Sequence, residues 1–206
     1  RLVGSEMCIR DRGNPQHALQ CATALLALDR AQDALGFARR AAELDPLQPS
    51  VQLCLSRCLA ARGDLEQARL VARRALDAAP QDLALRVAVC QLLVTQQAPA
   101  EAVSLIQVEA DRPGAAAATL ECLAQAQEAA GLHALAAATW QRLASMPLAS
   151  WKPCVRASAC LLASGDRDQA LEWLARARER KAPAEAIATL DAALQAQPMA
   201  PVDSAK

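Results

Sequence analysis

Apolar residues recur along this chain every three to four positions, in short runs that stop and restart. The stretch from Pro49 to Asp82 shows the pattern most clearly. Val51, Leu53, Leu55, Cys58 and Leu59 have the spacing of an amphipathic helix over Val51 to Ala61. Arg62-Gly63 ends it, because glycine accepts the left-handed conformation that closes a helix. Asp64, with Gln67 three residues on, is placed to form a capping box for the next helix. Leu65, Ala68, Leu70, Val71, Ala72, Ala75 and Leu76 supply that helix with an apolar face, and Pro80 stops it. Two short helices joined by so tight a turn make a helical hairpin.

The hairpin repeats with a period of 34 residues. One column reads Ala34, Ala68, Ala102, Ala136 and Ala170. Gly63, Gly131 and Gly165 share a second, although the chain has only 7 glycines. A third reads Leu25, Leu59, Leu93, Gln127 and Leu161, and a fourth Cys21, Leu55, Val89, Leu123 and Ala157. Prolines close the units at Pro46, Pro80, Pro113, Pro147 and Pro183. Small, apolar and helix-breaking columns at one period mean a solenoid, in which each unit buries its face on its neighbours.

On the 34-residue period, the Gly63 and Ala68 columns and the closing prolines, the chain resembles the tetratricopeptide repeat family from about Asn14 to Pro183. The resemblance implies an all-α fold, a right-handed α-solenoid of antiparallel helix pairs. Five units are expected, at about 15–48, 49–82, 83–116, 117–150 and 151–183, followed by a capping helix over 184–195 and a flexible tail over 196–206. The sequence departs from the family pattern in its aromatics. Gln52 and Leu59 stand where the family usually has Trp-like and Tyr-like residues. The second-helix aromatic is matched only by Trp140, with Ala38, Ala72, Ile106 and Leu174 in the other units. The third unit has Gln97 in the glycine column, so its turn is expected to be less regular. In the first unit Asp29 replaces glycine, and aspartate tolerates left-handed geometry better than most residues.

The first twelve residues stand apart. Leu2 to Asp11 resembles, residue by residue, one reading frame of a transposase-type sequencing adapter. Residues 1–12 are therefore expected to be non-native and are left out of the fold reading, with the native start upstream missing. Setting aside Arg1, Arg10 and Arg12 leaves 19 of 22 basic residues. Setting aside Glu6 and Asp11 leaves 20 of 22 acidic ones, a net charge of −1. That balance gives no electrostatic case for nucleic acid. No apolar run approaches the roughly 20 residues that span a bilayer, so no membrane insertion is expected. With 1 Phe, 3 Trp and no Tyr, the helices must pack alanine on leucine.

Candidate chemistry is sparse. Cys21, Cys54, Cys58, Cys90, Cys122, Cys154 and Cys160 contain no Cys-x-x-Cys pair and fit buried thiols in a reducing compartment, hence a cytoplasmic protein. Cys54 and Cys58 are placed to share a helix face, but His17 and His133 are the only imidazoles, too few to complete a metal site. There is no phosphate loop, nucleophile elbow or His-Glu metal helix, so neither an enzyme nor a cofactor is expected. The alanine, arginine and leucine bias points to a bacterial source. The resemblance implies a concave groove lined by first helices, holding a peptide of a protein partner. Projected here, that face contains Leu53, Arg57, Val87, Gln91, Glu121, Gln125 and Lys152, flanked by Leu19, Thr23, Glu128 and Val155. Arg57, Gln91 and Gln125 fall in one column and are expected to stack along the groove, where they would hydrogen-bond a peptide backbone. The Lys and Asn set of the family's carboxylate clamp is missing, so chaperone C-termini are not expected to bind. The leading reading is a protein–protein adaptor. The alternatives are the regulatory arm of a larger enzyme, such as a glycosyl- or sulfo-transferase, and an exported envelope or pilus assembly factor.

Overall fold

The computed structural model describes residues 13–147 and 149–196. The adapter-like segment 1–12 and nearly all of the expected tail lie outside the described residues. Among the described residues there are eleven α-helices and no strands. They are α1 Pro15–Ala27, α2 Ala31–Leu44, α3 Pro49–Ala61, α4 Leu65–Ala78, α5 Leu83–Thr95, α6 Pro99–Ala110, α7 Ala117–Ala129, α8 His133–Ala144, α9 Lys152–Ala163, α10 Arg167–Glu179 and α11 Ala184–Ala196. The chain divides into two compact units, Arg1–Ala98 and Pro99–Lys206, and the expected third repeat straddles the division.

In the first unit each of α1 to α5 packs on the next, and the first helices of successive hairpins, α1, α3 and α5, also touch in order. In the second unit each of α6 to α11 packs on the next, and α9 also touches α11.

Within each unit the helix pairs are close because small residues face each other. Ala34, Ala68, Ala102, Ala136 and Ala170 are all 0% exposed. So are Ala22, Ser56, Cys90, Ala124 and Ser158, which form a first-helix column at the same period. In the second and fifth repeats the contact includes a hydrogen bond. Ser56 Oγ donates to the Ala68 carbonyl at 2.6 Å and Ser158 Oγ to the Ala170 carbonyl at 2.7 Å. The second-helix column holding Trp140 is buried throughout, with Ala38, Ala72, Ile106 and Leu174 at 0 or 1% exposed. Leu70, read from the sequence as part of the apolar face of α4, is instead 54% exposed. The buried side of that helix is carried by Ala68, Val71, Ala72 and Ala75, and Leu70 projects away from it.

The turns between paired helices are alike in all five repeats. Asp29, Gly63, Gln97, Gly131 and Gly165 have φ of 58°, 88°, 56°, 74° and 91°. Each turn closes with the same pair of backbone bonds, as in Gly63 N to Ala60 O and Asp64 N to Leu59 O. The less regular loop expected at Gln97 is not what forms. Gln97 N bonds Val94 O at 3.2 Å and Ala98 N bonds Leu93 O at 2.9 Å, so two hydrogen bonds hold a glutamine in left-handed geometry. That conformation costs a side-chain-bearing residue about 1–2 kcal/mol. Gln97 is exposed, so Gln97→Gly is expected to stabilise the protein by about 1 kcal/mol after glycine's extra unfolded-state entropy is counted. A urea titration checks it, and a lower midpoint for Gln97→Gly would refute the account of the turn.

Helix starts are mixed. Asn14, Asp82 and Asp166 accept from backbone N–H groups at 2.9, 3.0 and 3.1 Å. Asp64 makes no side-chain cap, so the capping box expected with Gln67 is absent. At Asp64 ψ is 60°, short of the extended values of 112° and 101° at Asn14 and Asp82. At Asp166 the Gln169 amide does engage, but it donates to the Asp166 carboxylate at 2.6 Å rather than reaching back to the backbone.

Several arginines tie one hairpin to the next. Arg69 donates to the Gln96 carbonyl at 3.1 Å, Arg142 to Ala110 at 2.7 Å, Arg180 to Ala144 at 2.9 Å and Arg167 to Leu194 at 2.8 Å. Each places positive charge on carbonyls at or near a helix C-terminus, where the helix dipole is negative. Gln52, in the place of the missing aromatic, is 8% exposed and donates to the Pro46 carbonyl at 2.7 Å. Arg86, one repeat on, bonds the Pro80 carbonyl in the same way. The terminal helix α11 carries the polar side chains Glu185, Asp191 and Gln195. Glu185 and Gln195 are exposed, but Asp191 is half-buried and pairs with Arg178.

Candidate functional site

In the first unit, α3 and α5 lie side by side and open a cleft of about 420 Å³. Arg57, Ala60 and Ala61 of α3 form one wall, and Ala88, Gln91, Leu92 and Thr95 of α5 form the other, with Leu65 and Gln96 completing the lining. The spacings 57, 60, 61 and 88, 91, 92, 95 each mark a single helix face. The alanines keep the cleft open, while Leu65 and Leu92 make its surface apolar. Arg57 and Gln91 are exposed.

Two of the residues expected in the groove column are therefore brought together, Arg57 and Gln91. Leu53 and Val87 are half-buried one turn earlier on the same helices and do not line the cleft. Leu19 is half-buried against the core of the first unit, and the Thr23 hydroxyl bonds back to the Leu19 carbonyl. In the second unit, Glu121 is exposed and Gln125 half-buried on one face of α7, and Lys152 is the exposed first residue of α9. Sequence reasoning missed Gln96. It is 1% exposed, and its side-chain oxygen and nitrogen have no hydrogen-bond partner among the described residues.

Glu128, flanking the expected groove, serves the protein's own structure. One carboxylate oxygen accepts from the Trp140 indole N–H and from Cys160 Sγ, the latter at 3.1 Å. The other pairs with Arg156, whose guanidinium lies 5.8 Å from the centre of the Trp140 ring. Burial pushes the Cys160 thiol up, against a smaller opposing pull from Arg156. Cys54 and Cys58 do share a helix face: they are 4% and 0% exposed and hydrogen-bonded to each other. That contact, reinforced by burial, raises the Cys58 pKa, and the same contact lowers that of Cys54. Among the described residues no group of three or more His, Cys, Asp or Glu side chains is placed to hold a metal ion. Likewise no described helix is long and apolar enough to cross a membrane.

No protein-family profile matches the chain, and no curated protein does either. Solved structures do. MamA from residue 41 onward of Desulfovibrio magneticus RS-1 is 15% identical with a TM-score of 0.64, over 81% of this chain and 94% of that one. TTC0263, a thermophilic TPR protein of Thermus thermophilus, is 18% identical with a TM-score of 0.62, over 88% of this chain and 99% of that one. YrrB, described as a TPR protein with an unusual peptide-binding site, is 16% identical with a TM-score of 0.64, over 91% of this chain and 97% of that one. With paired helices, small-residue columns and one left-handed turn in every repeat, this chain has the all-α fold of the tetratricopeptide-repeat proteins.

Proposed function

We propose that the protein is an interaction scaffold, not an enzyme, and that it holds a peptide segment of a partner protein in the cleft between α3 and α5. The observation that carries this is the pairing of Arg57 and Gln91 on one apolar-walled cleft. Both are exposed, and both carry donors that reach a peptide's carbonyls whatever its sequence. The alanine walls let an extended chain lie close to the helices. The fold likeness to YrrB, itself described as having a peptide-binding site, supports the reading. No nucleic-acid partner is proposed, since Arg69, Arg142, Arg167 and Arg180 are engaged with backbone carbonyls. A reducing, cytoplasmic setting is proposed because Cys54 and Cys58 sit as neighbouring buried thiols.

The double variant Arg57→Ala/Gln91→Ala tests the cleft. Both positions are exposed, so stability is expected to change by no more than about 0.5 kcal/mol per site. Peptides selected on the wild-type protein from a random dodecapeptide library are expected to bind the variant about tenfold or more weakly, the loss of one or two hydrogen bonds to charged or amide groups. Unchanged affinity for every selected peptide, with folding intact, would remove the cleft from the account.

A further inference from the structure

We infer that the ion pair of Glu128 and Arg156 is an internal plug. It closes, between α7 and α9, the counterpart of the cleft between α3 and α5, and so bars a bound peptide from that position. This rests on the scaffold reading above and specifies where on the chain the ligand lies. Glu128 and Arg156 stand two periods of 34 residues beyond Ala60 and Ala88, the alanines on the two walls of the cleft. The same two positions carry Leu26 and Cys54 on α1 and α3, and Leu162 and Leu190 on α9 and α11. Within the two units, alanine stands at both positions only where the cleft opens. Alanine ends at its Cβ and leaves the gap between facing helices open. A glutamate and an arginine reach across it, and here they meet.

The plug is anchored from below. One Glu128 carboxylate oxygen accepts from the Trp140 indole N–H and from Cys160 Sγ, and the other takes Arg156. The Arg156 guanidinium also lies 5.8 Å from the centre of the Trp140 ring, within range of a cation–π attraction. Trp140 is the aromatic that the other repeats lack in this column, so the plug and its anchor occur in the same repeat. The Glu128 side chain is 16% exposed and that of Arg156 is 51% exposed. The carboxylate therefore sits deep and the arginine covers it, which makes Arg156 the removable half. A charge-assisted pair is stronger than the neutral hydrogen bonds a peptide backbone offers in exchange. The position also lacks one hydrogen-bonding group of the open cleft, since Gln125 corresponds to Arg57 but Ala159 to Gln91.

The test uses the full chain carrying Arg57→Ala/Gln91→Ala, which silences the first cleft, with and without Arg156→Ala. Peptides are selected on each protein from the random dodecapeptide library, and their affinities are read by fluorescence polarisation. Those selected with Arg156→Ala present are expected to bind about tenfold or more weakly when Arg156 is intact. They are expected to share an arginine or lysine, which takes the place of Arg156 on Glu128, and to shift the backbone amides of Gln125, Ala129 and Ala159. Arg156→Met keeps much of the aliphatic stem over Trp140 and serves the same purpose if the alanine variant does not fold. Equal affinity with and without Arg156, no peptide gained on its removal, or gained peptides without a shared cation would overturn the inference and leave the scaffold reading standing. Peptides selected on the wild-type protein that keep their affinity on Arg57→Ala/Gln91→Ala would overturn the scaffold reading on which the inference rests.

Discussion

Replacing Trp140 with alanine is expected to destabilise the second unit by about 3–5 kcal/mol, the range for removing a large buried aromatic. The indole is 3% exposed and fills the second-helix core position that Ala38, Ala72, Ile106 and Leu174 occupy in the other repeats. Its loss leaves a cavity that the surrounding helices, fixed by close alanine contacts, have little freedom to collapse. It also takes a donor from Glu128, which faces Trp140, Arg156 and Cys160. Trp140→Phe separates the two effects, since it retains most of the volume and loses only the N–H. That variant is expected to cost about 1–3 kcal/mol, the value of leaving one polar group short of a partner. Urea denaturation followed by far-UV circular dichroism reads both without relying on tryptophan emission. A Trp140→Ala midpoint equal to wild type would show that the ring does not anchor this unit.

Ala68→Leu is expected to cost about 3 kcal/mol, at the upper end for overpacking. Ala68 is 0% exposed and faces Ser56, also 0% exposed, across the α3–α4 contact. The Ser56 hydroxyl reaches the Ala68 carbonyl at 2.6 Å, so the two helices approach too closely to admit three more carbon atoms. Relief would have to come from helix displacement, which would break that bond. Ala24→Leu, at an exposed position of α1, is the control and is expected to stay within about 0.5 kcal/mol of wild type. Equal effects at the two positions would mean that the alanine column reflects composition and not packing.

The alanine column was legible in the sequence because a residue held at one period is visible without coordinates. Its counterpart, the small column of Ser56 and Ser158, mixes alanine, serine and cysteine, so it reads as scatter until hydroxyl and carbonyl are seen to meet. The glycine column exposed the turns, but it also misled at Gln97. Residue preference says which side chain is least costly at a left-handed position. Whether the turn forms is decided by backbone hydrogen bonds, which any residue can make. Projection by helix face put Arg57 and Gln91 on one side of their helices, where both line the cleft between α3 and α5, because that placement depends only on periodicity. It gave Glu128 an outward role, because pairing with Trp140 and Arg156 depends on three helices and leaves no local trace. Gln96 was hidden for a related reason: a glutamine at a helix end reads as an ordinary turn residue, and its lack of partners is a property of the packed state.

The scaffold reading is tested most directly by mapping where a selected peptide binds, through backbone amide shifts of the isotope-labelled protein on titration. The account predicts that the largest changes fall on Arg57, Ala60, Ala88, Gln91 and Gln96, around the cleft between α3 and α5. Changes concentrated instead around the exposed outer side chains Phe37 and Leu70, with the cleft silent, would contradict it.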